Sequence, residues 1–162
     1  MDLQGTVALV TGGNGGLGQR ICHALAREGV HLALMYAQSR EQAEGVAREL
    51  SNTYQVSAQA FACDITQQAD VDRLIEDVIK RFGCIDLLIN DAAYNKSVPF
   101  TDLDSMTQDV WDKIMAVNLT GPMRLTKAVA PIMKRKGAGR VVNIASVAGL
   151  TPTGSSIAYA VS

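Results

Sequence analysis

Short apolar runs alternate with amphipathic, helix-period segments along nearly the whole chain. The run Val7-Ala8-Leu9-Val10 predicts a buried strand over about Thr6–Val10, and a helix follows from about Leu17 to Glu28. Gly29 is a natural helix stop, His31–Tyr36 predicts a second strand, and Ser39 is placed to cap a polar helix through Leu50. Val56–Ala62 predicts a third strand. Thr66 is expected to cap a helix on which Val71, Leu74, Ile75, Val78, Ile79 and Phe82 recur at i, i+3, i+4, and Gly83 ends it. Ile85–Ile89 predicts a fourth strand. A long loop then leads to a helical stretch from about Thr107 to Lys136, disturbed at Gly121-Pro122 and Pro131 because proline removes a backbone donor. Arg140–Ala145 supplies a fifth strand, and a further helix starts near Tyr159. Strands and helices alternating across short connections predict an α/β chain with a parallel, doubly wound sheet. Residues 1–162 contain no linker, repeat or low-complexity segment and are expected to form a single domain. Ligands of such sheets sit at the carboxyl ends of the strands.

The connection after the first strand narrows the chemistry. Thr11-Gly12-Gly13-Asn14-Gly15-Gly16-Leu17-Gly18 joins a buried strand to a helix through a run of glycines. Without a Cβ the chain can turn tightly and bring bare N–H groups against a diphosphate, at the positive end of the following helix. The turn satisfies G-x-G-x-x-G, T-G-x-x-x-G-x-G and T-G-x-x-G-x-x-G at once, so it indicates phosphate strongly and the branch of nucleotide-binding protein weakly.

Composition removes several alternatives. The chain has 162 residues, 48% apolar content, 14 glycines and a formal net charge of −1, which gives no electrostatic reason for a nucleic-acid or anionic-membrane partner. The start Met1-Asp2-Leu3-Gln4-Gly5 lacks the pattern of a secretory signal, and no apolar stretch is long enough to span a bilayer. Cys22, Cys63 and Cys84 are odd in number, widely spaced and without metal-ligand spacing, so they read as reduced core thiols of a cytoplasmic protein, and no metal site is expected. His23 and His31 are isolated, and surface or strand-edge positions are expected for both.

Three polar residues fall where this architecture would gather them: Asn118 inside the long helical stretch, Ser146 at the end of the fifth strand, and Tyr159 thirteen positions later. With Thr11–Gly18, Asp64, Asn90, Val117-Asn118-Leu119-Thr120-Gly121 and Val142-Asn143-Ile144-Ala145-Ser146, the chain resembles the short-chain dehydrogenase/reductase family over its whole length, in the shorter-subunit branch. Its wording looks most like the 3-oxoacyl-carrier-protein reductases and their sugar- or steroid-reducing relatives. The resemblance implies a Rossmann-type fold, selects T-G-x-x-x-G-x-G with Gly12, Gly16 and Gly18 as the family glycines, and implies a nicotinamide cofactor. It implies Tyr159 as acid/base, Ser146 orienting the substrate oxygen, and Asn118 supporting a water-mediated proton path. The cofactor-binding set it implies is Gly12, Asn14, Gly15, Gly16, Leu17, Gly18, Tyr36, Ser39, Arg40, Asp64, Ile65, Asn90 and Ala92, with Asp64 at the adenine. It also implies a homo-oligomer, a dimer or tetramer. The substrate expected is a small-molecule carbonyl or alcohol, framed by the loop Val147–Ile157 and the segment Tyr94–Thr101. A non-catalytic, nucleotide-sensing module on the same fold is the alternative. The branch with T-G-x-x-G-x-x-G, epimerases and dehydratases, is disfavoured, because it usually carries an acid after the second strand.

Cofactor choice follows from the end of the second strand, where Met35-Tyr36-Ala37-Gln38-Ser39-Arg40 has no acid for the ribose hydroxyls. Ser39 and Arg40 are placed to receive a 2′-phosphate, which predicts NADP(H). The family places a lysine four residues after the tyrosine. This sequence stops at Ser162, so the sheet is expected to be cut off after its fifth strand and the native polypeptide to continue with lysine. A further departure is Asn90-Asp91-Ala92-Ala93, where the family usually has Asn-Asn-Ala-Gly; Asp91 places a carboxylate near the expected cofactor cleft.

Overall fold

The computed structural model describes residues 2–151 and 154–162. Five strands run in parallel in the order β3-β2-β1-β4-β5: β1 (Val7–Thr11), β2 (His31–Tyr36), β3 (Ala58–Ala62), β4 (Leu87–Asn90) and β5 (Arg140–Asn143). Six helices accompany them: α1 (Gly16–Arg27), α2 (Arg40–Tyr54), α3 (Gln68–Phe82), α4 (Gln108–Met115), α5 (Gly121–Lys136) and α6 (Ile157–Val161). The sheet is the Rossmann-type, doubly wound arrangement that the alternating pattern predicts.

The period of two along each strand sorts the core into two layers. Ala8, Val10, Leu32, Leu34, Leu87 and Ile89 face α1 and α2, packing on Cys22, Ala26, Val46, Ala47 and Leu50. Leu9, Ala33, Met35, Phe61 and Leu88 face the other way, onto Val71, Leu74 and Val78 of α3 and Leu125, Val129 and Met133 of α5. The central strands are buried on both faces, which is why they read as continuous apolar runs. The edge strand β5 is different: all four of its residues are exposed, Val141 and Val142 among them.

Several boundaries moved from where the sequence placed them, for local reasons. Strand β1 extends to Thr11, because Thr11 pairs in register with Met35. Ser39 precedes α2 in the left-handed region, φ 61°, and makes no side-chain cap. Thr66 does not cap α3; its N–H and hydroxyl both donate to Asp64 Oδ1, and Gln67 takes the cap position. The long helical stretch does break near Gly121-Pro122: residues Ala116–Thr120 form a π-helical turn between α4 and α5, whereas Pro131 is carried inside α5. A Cβ at Gly121 would stand 2.6 Å from Ile65 Cδ1, so this bend brings α5 against the loop after β3.

One polar anchor sits at the opposite end of the sheet from the site. Asp86, nearly fully buried, accepts from Val7 N–H at 3.0 Å, from the Cys84 thiol and from the Lys136 ammonium. Burial raises its pKa, but the Lys136, Val7 and Cys84 bonds outweigh burial and hold the carboxyl below the usual range.

Candidate functional site

The glycine turn is fixed from three sides. Gly12 has φ +64°, and a Cβ there would meet Ala92 Cα at 3.1 Å. Gly15 N–H closes the turn onto Gly12 O at 2.8 Å, and Gly13 N–H donates to Met35 O at the end of β2. Asn14 is a bridge: its Nδ2 donates to Gln38 O at 3.1 Å, while its own carbonyl accepts from Gln19 Nε2 at 2.7 Å. The glycine turn is thereby tied to the loop after β2. Gly18 is the tightest position, because a Cβ there would lie 2.2 Å from Gly12 O.

Thr11 couples this turn to β4. Its hydroxyl accepts from both Asp91 N–H and Ala92 N–H, each at 2.9 Å, and donates to Ile89 O at 3.4 Å. The sequence marks Thr11 only as the first letter of a motif, and its work in holding two backbone donors of the next strand's loop is a finding of the structure. Asn90 Nδ2 donates to Asn143 Oδ1 at 2.8 Å across the β4–β5 rung, and Asn90 Oδ1 is buried without a partner among the described residues.

The carboxyl ends of the strands open into a cleft of about 1420 Å³. It brings together Gly12, Asn14, Gly15, Leu17, Ser39, Asp64, Ile65, Ala92, Ser146 and Tyr159 of the expected site. Asn90 and Asn118 line an adjoining cavity of about 770 Å³, which shares Ala92, Ser146 and Tyr159 with the first. Four expected residues line neither. Gly16 and Gly18 build the turn and the start of α1; Tyr36 is buried; and the exposed Arg40 turns its guanidinium onto Glu44, Nε to Oε1 2.7 Å. That pairing, first by hydrogen bond and then by charge, raises the Arg40 pKa and lowers that of Glu44.

Asn118 sits in the π-helical turn. Its Oδ1 accepts from Tyr94 N–H at 2.8 Å, and its Nδ2 donates to Tyr94 O at 3.0 Å and to Ser162 Oγ at 2.9 Å. Ser162 Oγ donates in turn to Tyr159 O at 3.1 Å. Asn118 thus ties the loop after β4 to the helix that carries the tyrosine. Ser156, fully buried, caps α6 by accepting from Tyr159 N–H and donates to Asn95 Oδ1 at 3.1 Å. Ser146 follows β5 and accepts from Ala148 N–H at 3.1 Å. In the expected entrance loop, Val147 and Leu150 are strongly exposed, and Pro152 and Thr153 lie outside the described residues.

The cleft also recruits residues the sequence did not mark. Asp112 and Lys113 line it from α4, and the Lys113 ammonium lies 4.3 Å from the centroid of the Tyr94 ring. Their exposed positions on an amphipathic helix gave no signal beyond an ordinary solvated face. Asp91 lines the cleft as expected, and burial raises its carboxyl above the usual range. Among the described residues there is no group of three or more His, Cys, Asp or Glu able to hold a metal ion, and no helix long and apolar enough to cross a membrane.

A glycine-bent β1–α1 connection opening onto a serine and a tyrosine at the far end of one cleft defines a dinucleotide-fold protein with a hydroxyl pair beside the site. The family model described as short chain dehydrogenase matches residues 6–162. The chain belongs to that family. A Streptomyces violaceoruber protein, named for a ketoacyl reductase role in the granaticin polyketide synthase, is 39% identical over 156 residues, 96% of this chain and 61% of that protein. An NAD+-bound xylitol dehydrogenase superposes with a TM-score of 0.90 at 32% identity, covering 99% of this chain and 60% of that one. The L-sorbose reductase of Gluconobacter frateurii, complexed with NADPH and L-sorbose, gives a TM-score of 0.90 at 27% identity and the same coverages. The chain therefore spans about three-fifths of the length of these relatives.

Proposed function

We propose that the chain forms the cofactor cleft and carries the acid/base tyrosine of an NADP(H)-dependent oxidoreductase acting on a small-molecule carbonyl or secondary alcohol. The observation that carries this reading is the single cleft whose wall runs from the glycine turn to Ser146 and Tyr159. The turn suits a dinucleotide, since Gly18 has no room for a Cβ, Gly12 sits at positive φ close against Ala92, and Asn14 fixes the loop that would meet the ribose.

In this reading Gly12, Asn14, Gly15, Gly16, Leu17 and Gly18 hold the diphosphate end, Tyr36, Ser39 and Arg40 the 2′-phosphate end, and Asp64 and Ile65 the adenine. Asn90 and Ala92 flank the nicotinamide half. Once bound, the nicotinamide supplies or accepts hydride at carbon. Tyr159 gives the proton to the carbonyl oxygen, or takes it from the alcohol, and Ser146 Oγ orients that oxygen. A free phenol titrates near about 10, so Tyr159 needs a nearby cation to serve as base near neutrality. Asn118 keeps the tyrosine helix and the loop after β4 in register through Ser162 and Tyr94.

NADP(H) is favoured over NAD(H) because Ala37, Gln38 and Ser39 present no carboxylate to the cleft. Arg40 reaches a 2′-phosphate only by releasing Glu44, an exposed pair whose loss costs little. The same reading places a homo-oligomer contact on the α4–α5 stretch, where Leu119 and Met123 are exposed. The decisive test is cofactor titration of the full-length protein followed by a carbonyl panel monitored by NADPH absorbance, with Tyr159→Phe alongside; residues 1–162 alone are expected to be inactive. Turnover is expected to fall by roughly 10²–10⁴-fold with cofactor affinity kept, and unchanged turnover removes Tyr159 from the chemistry. Arg40→Ala is expected to lower the NADP/NAD preference; an unchanged preference refutes the phosphate contact.

A further inference from the structure

We propose that Asp91 makes dinucleotide affinity proton-linked: the diphosphate binds with the Asp91 carboxyl protonated, and loss of that proton weakens binding. This rests on the dinucleotide reading above and adds to it a residue that sets affinity against pH.

Asp91 follows β4 directly and lies beside the end of β1, where Thr11 Oγ1 accepts from its backbone N–H. Its Oδ2 stands 3.0 Å from where a Cβ of Gly18 would be, so the carboxylate is at the foot of the glycine turn and the first turn of α1. It lines the same cleft as Gly12, Gly15 and Leu17. Among the described residues no donor reaches the carboxylate, and no lysine, arginine or histidine pairs with it. A half-buried acid with no partner, set under the surface that would receive a diphosphate, opposes the ligand whenever it is ionised.

No side chain around it supplies a counter-charge or a donor beyond the field of the α1 N-terminus. The turn 11–18 carries no titratable side chain. From α1 the neighbour is Cys22, whose thiol is pushed up to about 12 by burial and, next, by the charge of Asp91. From β4 and β5 come only Asn90 and Asn143, paired with each other. Across the cleft stand Asp64 after β3, Asp112 and Lys113 on α4, Tyr94, and Tyr159 on α6; Lys113 is spent on the Tyr94 ring, and none of them bonds Asp91. His23 packs on Tyr54 and Glu49, and His31 accepts from Ser57 N–H; neither lines the cleft. Burial already raises the Asp91 carboxyl above its ordinary value in the free chain. An arriving anion raises it further, so a proton is taken up on binding. Affinity is therefore highest in acid and falls as pH rises through the free-chain value.

The probe is ADP-ribose, which carries the adenosine diphosphate without the redox ring. Its binding to the full chain is followed by calorimetry from about pH 5 to about pH 8, with the slope capped at tenfold per pH unit for one linked proton. Expected is a roughly three- to tenfold loss of affinity across that range for the unmodified protein. In two buffers of different ionisation enthalpy, proton uptake should appear directly, a reading that needs no variant. Asp91→Asn should bind more tightly at the alkaline end and show a flatter profile. A pH-independent affinity, proton release, or a slope that Asp91→Asn leaves unchanged overturns the proposal. Absence of ADP-ribose binding to either protein at every pH overturns the dinucleotide reading itself, a result distinct from binding that ignores pH.

Discussion

Gly18 and Gly16 belong to the same motif, yet the structure predicts opposite consequences for the same methyl group. At Gly18 a Cβ would stand 2.2 Å from Gly12 O and 2.9 Å from Gly12 C, both backbone atoms that hold the turn closed. Ordinary contact is about 3.4–4 Å, so the Gly12–Gly15 turn must shift by over an ångström or α1 must lift from β1. Forcing one methyl group into such a site costs about 1–3 kcal/mol. For a chain of this size that lowers Tm by about 2–12 °C. At Gly16 a Cβ meets nothing within 4 Å, and the residue opens α1. Gly16→Ala should leave folding unchanged or stabilise it by about 0.4–1 kcal/mol through the unfolded chain. Thermal unfolding by circular dichroism measures both variants, and ADP-ribose titration adds the functional reading. Gly18→Ala should lose stability and affinity together; Gly16→Ala should keep stability and lose affinity, since its methyl group occupies space where bare backbone would meet the diphosphate. Gly18→Ala as stable as the parent would refute the packing argument. Gly16→Ala with undiminished affinity would show that the ligand does not approach the start of α1.

Thr11→Val keeps the shape of the side chain but leaves the Asp91 and Ala92 N–H groups unpaired; a loss of about 1–3 kcal/mol is expected in urea unfolding, with Thr11→Ser recovering most of it. Equal stability of the valine variant would show that water replaces the hydroxyl. Asp86→Ala strips partners from Val7 N–H and the half-exposed Lys136, and about 1–3 kcal/mol should be lost at neutral pH. Because the folded Asp86 carboxyl is held below its unfolded value, its stabilisation is present above about pH 4 and fades as pH falls through the folded value; the two proteins should converge in acid. A difference that persists there would contradict the ion-pair account. Buried Cys22 and Cys63, with thiols raised to about 12 mainly by burial, should resist iodoacetamide in the native chain and react on unfolding. Native labelling as fast as in denaturant would refute their burial.

The sheet was legible because burial on both faces leaves continuous apolar runs, and β2 was readable to the residue: His31–Tyr36 contains six positions, five of them buried, between a glycine stop and a polar helix. What failed was an assignment made from one residue's own chemistry where a near neighbour competes for it. Thr66 has the right side chain for a cap, but Asp64 two positions back captures its hydroxyl. Arg40 was read for its charge alone, and its pairing with Glu44 one helical turn on in the ligand-free chain was not read. Thr11, Asn14 and Asn118 show the converse. Each bonds an element more than twenty positions distant, so no window of sequence carries the signal. These three bonds have a common consequence. Thr11 joins the glycine turn to the loop after β4, Asn14 joins it to the loop after β2, and Asn118 joins the loop after β4 to the tyrosine helix. The loops that wall the cleft are thus held by side-chain bonds to one another as well as by their strands. A change at any one of the three should therefore disturb both ends of the cleft, and Thr11→Val should weaken ADP-ribose binding although Thr11 itself does not line it.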